Sequence, residues 1–130
     1  MTSVSIPKRL RCELAPRDTE TPWLKGRGTR WQVIGDWWVQ VGGRWYCVPA
    51  GYVFDGSSIP WWLWWLFPPT YAPAFEASCW HDICYSHWYQ EVHKWQADDG
   101  FKAIMLYNGA SRPVAWAFHK AVSLFGRGGW

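Results

Sequence analysis

Over residues 29–48 bulky, β-favouring side chains crowd together, broken by Gly35 and by Gly42-Gly43; beyond residue 72 the apolar spacing lengthens to three and four. The first pattern predicts short strands at 29–34, 36–41 and 44–48, in which Trp31, Trp37, Trp38, Val39, Val41, Trp45 and Tyr46 supply aromatic and branched bulk. Gly42-Gly43 is a two-residue hairpin signal, because both positions can adopt positive φ. A possible edge strand at 8–14 precedes a loop rich in Pro, Thr and Gly at 15–28. Together these predict a small antiparallel meander with aromatics on both faces.

Residues 49–60 are a transition, with Ser58 placed to cap a helix whose first turn contains Pro60. The apolar run at 61–67 is seven residues long before Pro68-Pro69, far short of the roughly 20 needed to cross a bilayer. It reads equally as a core helix or as a wedge for an interface. Three helices are then expected: 72–89, 93–107 and one starting with Ser111 as cap and Pro113 in its first turn, ending at Gly126. Val114, Phe118, Ala121, Val122 and Phe125 form a plain core stripe on the last of these, and 127–130 is a tail. The fold class is therefore α+β, one domain with a β-rich part to residue 55 and a helical part over 58–126.

Two helical positions carry chemistry. On the first long helix Ala74, Ala77, His81, Cys84, Tyr85 and Trp88 share a face, so an imidazole points into an apolar seam. An unpaired polar group there costs about 1–3 kcal/mol, so His81 requires a partner. On the next helix Trp95, Asp98, Phe101 and Met105 fall close to one face, which puts Asp98 in an apolar stripe while Asp99 turns towards water. The short connection makes the two helices antiparallel neighbours, and the economical pairing is Asp98 with His81. Such a pair fixes the imidazole tautomer and leaves its other nitrogen to take a proton, as a general base must. Asp82, about 100° around the helix from His81, reaches the mouth of the same site. With Asp55 and the carbonyls of the 54–58 turn it offers oxygen ligands suited to calcium rather than zinc. The bland alternative is a turn cap at Asp55 and a surface pair at Asp82. His87, His93 and His119 have no metal-binding spacing.

Composition changes the picture in one respect. Tryptophan occurs 14 times in 130 residues, more than one small core can absorb, so the surplus implies a docking surface towards protein, lipid or glycan. The net charge of +3 comes from the β-rich part, while the helical part is net acidic. Single-stranded nucleic-acid binding by tryptophan stacking has little support, since stacking platforms work with a basic groove. The N-terminus has no apolar signal region, which implies synthesis in a cytoplasm, where Cys12, Cys47, Cys79 and Cys84 stay as thiols.

Four motifs in order, Val48-Pro-Ala-Gly-Tyr52, Asp55-Gly-Ser-Ser-Ile-Pro60, His81-Asp-Ile-Cys-Tyr85, and Ala97-Asp-Asp-Gly-Phe101 through Met105, resemble an uncharacterised family of phage and prophage proteins over residues 30–110. More locally, His81-Asp-Ile-Cys-Tyr85 is similar to the active-site helix of secreted phospholipases A2. That resemblance implies His81 as the base that activates water, Asp82 as a calcium ligand and Asp98 as the orienting carboxylate. Cys84 and Tyr85 form the trailing pair, with Tyr85 counted in the catalytic set. The glycine-rich calcium loop and the disulfide framework of those enzymes have no counterpart here.

These readings converge on two expectations. One is a phage-encoded hydrolase, carried in the virion tail, that cleaves an ester or amide of the host envelope: phospholipid first, peptidoglycan second. The other is a non-catalytic tail or virion component that docks on other virion proteins through its tryptophans, with His81 and Asp98 as a buried polar staple. Either would be made in the host cytoplasm and then join the particle.

Overall fold

A computed structural model describes residues 2–16, 29–55, 61–67, 72–88 and 90–125. Among these residues six strands precede four helices: β1 Val4–Ser5, β2 Cys12–Leu14, β3 Trp31–Val33, β4 Trp37–Val41, β5 Arg44–Val48, β6 Val53–Phe54, then α1 Trp61–Leu66, α2 Ala72–Ser86, α3 Lys94–Tyr107 and α4 Arg112–Phe125. The α+β class expected from the chain is the one observed. The capping role of Ser58, the turn after Asp55 and the tail fall outside the described residues.

The single meander resolves into two three-stranded antiparallel sheets, ordered β1-β4-β5 and β2-β3-β6. The hairpin forms where expected: Val41 pairs with Arg44, and Gly42 and Gly43 sit at φ 61° and 84°. The sheets part at Gly35, whose φ of 71° turns the chain out of β3 before β4 begins. β3 then pairs with β6, and Val33 also exchanges backbone hydrogen bonds with Gly51 and Tyr52.

The edge strand expected at 8–14 shrinks to β2 because side chains claim the backbone before it. Trp37 Nε1 donates to the Lys8 carbonyl at 3.1 Å, and the Leu10 amide donates to Glu76 Oε2 at 2.9 Å. In β4, Trp37, Val39 and Val41 face the core while Trp38 stands out at 53 % exposure, so one face is clearly inward.

α2 is the central element. The apolar face inferred for it is too narrow a description: every residue from Glu76 to Tyr85 is buried, as expected of a helix surrounded by packing partners. α3 packs along it, and Gly100 allows the approach; a Cβ there would lie 2.4 Å from the Trp80 ring. α4 covers the other side of α3 with Ala115, Phe118, Ala121 and Val122. Trp95, expected on the inward stripe of α3, is instead 67 % exposed, and that stripe consists of Ala97, Asp98, Gly100, Phe101, Ile104 and Met105. Among the described residues no helix is long and apolar enough to cross a membrane.

Candidate active site around His81 and Asp98

Helical periodicity brings the two inward ionisable groups together across the α2–α3 interface. His81 Nε2 lies 2.7 Å from Asp98 Oδ1, with the imidazole fully buried and the carboxylate nearly so. Tyr85, one turn after His81, donates its hydroxyl to the same Oδ1 at 2.9 Å. Lys94, one turn before Asp98, donates to Oδ2 at 2.7 Å. Its ammonium also reaches the Ser123 carbonyl at 3.0 Å and the Val122 carbonyl at 3.4 Å in the last turn of α4. That position suits a cation, because the final carbonyls of a helix lack intrahelical donors and carry the negative end of its dipole. One carboxylate thus binds three donors and, through Lys94, ties α2, α3 and α4 at a point.

The electrostatics assign the proton. Burial raises the Asp98 carboxyl, but the hydrogen bonds from His81, Lys94 and Tyr85 outweigh it and hold the group below its ordinary 3.8. Asp98 is therefore ionised and can only accept, so Nε2 of the neutral ring carries the hydrogen and Nδ1 is the basic nitrogen. Burial lowers His81 below 6.5 despite the opposing pull of Asp98, which keeps the ring neutral at pH 7. Burial, then the Asp98 charge, drives the Tyr85 hydroxyl well above its ordinary value, so it stays a donor. Aromatic rings enclose the imidazole: Tyr85 at 4.1 Å between centroids and Phe101 edge-on at 5.3 Å.

Of the residues expected at the site, His81, Asp98 and Tyr85 come together. Asp82 is buried, 6 % exposed, and its charge helps to raise the Tyr52 hydroxyl and the Cys84 thiol, both of which burial raises first. Asp55 is half-buried just past β6. Both carboxylates are engaged in interactions of their own. Among the described residues no group of three or more His, Cys, Asp and Glu side chains could hold a metal ion. The carbonyls of 56–58, which the calcium reading also uses, lie outside the described residues.

Lys94 was not anticipated, although its i, i+4 spacing to an inward carboxylate was readable. Glu76 was not anticipated either. It is 6 % exposed and accepts from Arg9 at 2.8 Å, Asn108 Nδ2 at 2.8 Å and the Leu10 amide at 2.9 Å, so it anchors the N-terminal segment to α2 and to the end of α3. The four cysteines are free thiols, and burial pushes Cys79 and Cys84 well above the ordinary thiol range.

A family model described as "protein of unknown function (DUF1353)" matches residues 25–122, a span that takes in β3 to β6, α1, α2, α3 and most of α4 but not β1 or β2. No match was found among curated proteins or among solved structures.

Proposed function

The chain belongs to the DUF1353 family, and we propose that it is a phage-encoded, virion-associated hydrolase acting on an ester or amide of the host envelope. The observation that supports this reading best is the carboxylate-oriented imidazole, with Asp98 on Nε2 at 2.7 Å and Tyr85 and Lys94 fixing the carboxylate in turn. In this proposal Nδ1 of neutral His81 takes a proton from water as the water oxygen attacks the substrate carbonyl. Asp98 stabilises the imidazolium that forms, and Tyr85 and Lys94 keep Asp98 aimed at the ring. The proton returns from His81 to the leaving alcohol or amine as the tetrahedral intermediate collapses. Asp82 and Asp55, with turn carbonyls, are the proposed holders of a calcium ion, which would supply positive charge for the developing oxyanion.

The resemblance of the four motifs to those of phage and prophage proteins directs the substrate search, in this proposal, to the host envelope, phospholipid before peptidoglycan. Purified protein should release product from phosphatidylglycerol vesicles or from peptidoglycan with calcium, magnesium or zinc supplied. His81→Asn should lower the rate by about 10²–10⁴-fold while its circular dichroism remains native. Wild-type protein inert on both substrates with each cation would refute the proposal.

A second reading has its own support: His81 has no solvent exposure, and Trp38, Trp45, Trp65, Trp95 and Trp116 are exposed. In it the His81–Asp98–Lys94 cluster is a structural staple, and the tryptophans dock the chain onto other virion proteins. A fixed, symmetric copy number in purified particles, together with an inert wild-type protein, would decide for this reading. Absence from particles would remove it.

A further inference from the structure

Away from His81, a cleft of about 780 Å³ opens between the segment around Arg9–Cys12, the end of β3 and the start of α2. That volume lies within the roughly 300–1,000 Å³ of ordinary small-ligand sites. Leu10, Trp31, Ile34 and Phe75 give it apolar walls. Two of these are held rigid, since Phe75 meets Trp31 edge-on at 5.6 Å and packs on Phe54 at 5.5 Å. Ile34 is 40 % exposed, an apolar side chain left facing the opening.

Charge singles out the occupant. Among the described residues the lining holds Arg9, Arg11 and one carboxylate, Glu76. Glu76 is saturated by Arg9, Asn108 and the Leu10 amide, so its charge is matched by Arg9. Arg11, also on the lining, is exposed and makes no ion pair with any described residue. Among the described residues the cleft therefore presents apolar walls and one guanidinium without a carboxylate partner, which is complementary to an apolar tail bearing an anionic head. Guanidinium suits a carboxylate or phosphate because its donors form a planar fork.

We propose that this cleft binds a single-chain anionic amphiphile, with the tail against Trp31, Ile34 and Phe75 and the head on Arg11. His81, Tyr85 and Asp98 do not line it, so this site stands or falls separately from the hydrolase proposal.

Isothermal titration of the full chain with decanoate, kept monomeric, should give saturable one-to-one binding. Arg11→Gln should weaken decanoate at least about tenfold while leaving 1-decanol binding unchanged, the signature of a head-group contact. Ile34→Asp should weaken both ligands. Arg11 and Ile34 are both exposed, so native circular dichroism is expected of each variant. A parallel arm uses phosphatidylglycerol and phosphatidylcholine vesicles. Binding to anionic vesicles without binding to monomeric decanoate would mean adsorption to a charged surface, and would overturn the proposal. So would no saturable decanoate binding to the wild type, or equal decanoate affinity in Arg11→Gln.

Discussion

Replacing Asp98 by Asn keeps the shape of the carboxylate and removes its charge. In the native protein three donors converge on it, from His81, Tyr85 and Lys94, at 2.7, 2.9 and 2.7 Å. Hydrogen bonds to a charged partner contribute about 1.5–3 kcal/mol each, and removing one partner of a buried pair costs about 3–5 kcal/mol. The amide introduced by Asp98→Asn would retain one oxygen for His81 or Tyr85. Lys94, its side chain 35 % exposed, would keep the α4 carbonyls and water. The expected loss is therefore about 3 kcal/mol, or roughly 10 °C in Tm for a domain of this size. Urea unfolding followed by circular dichroism at pH 7 measures it.

The pH profile gives a sharper signature. Asp98 has a depressed folded pKa, so its stabilisation is present above 3.8 and is lost as pH falls through the folded value. The folded pKa of His81 is also depressed, so its share is complete above 6.5 and declines as pH falls from there to the folded value. Without Asp98, the hydrogen bond and the charge that pull His81 upward are gone, so its folded pKa drops further and its acid-linked loss spans a wider window. The gap between wild type and Asp98→Asn should stay level until the pH falls to the folded value of His81 in the wild type, widen below it, and narrow again below about 3.8, where the wild type surrenders the carboxylate contribution. His87 and His119, also depressed by burial, titrate in both proteins and largely cancel in the difference. A cost under about 1 kcal/mol, or parallel pH profiles, would refute the hub assigned to Asp98. An Nδ1–H tautomer of His81 by ¹⁵N NMR would refute the proton assignment.

Gly100→Ala should destabilise by about 1–3 kcal/mol, although the same change in an exposed helix stabilises by up to about 1 kcal/mol, because the new methyl would meet the Trp80 ring. A rise in Tm would show that Trp80 can yield. Glu76→Gln should cost about 1–3 kcal/mol by leaving Arg9 without its charge partner and one amide hydrogen facing donors, read as a lower urea midpoint with an unchanged slope. A neutral result would mean that the N-terminal segment is held by its strand pairing alone.

The local periodicities were legible along the chain. Three- and four-residue spacing placed His81, Tyr85 and Asp98 inward on successive helices, and that spacing is sufficient to pair them once the helices pack. Gly42-Gly43 marked the hairpin for an equally local reason, since both residues need positive φ. The packing environment was decided elsewhere. Whether α2 shows one buried face or is buried all round depends on how many elements surround it, and no window of sequence carries that number. Trp95 fits the helical stripe of α3 by spacing yet stands in solvent, because none of the described elements covers it.

The division of the strands into two sheets followed from Gly35 together with the long-range pairing of β3 with β6, two strands separated by a complete hairpin. Lys94 joins the site for the same kind of reason. Its local spacing to Asp98 is written in the chain, but its anchoring by the Val122 and Ser123 carbonyls exists only because α4 ends there. Sequence alone determined which side chains share a helical face, because that is a property of each helix. Tertiary structure decided what they meet, because burial and charge pairing belong to the elements assembled around them.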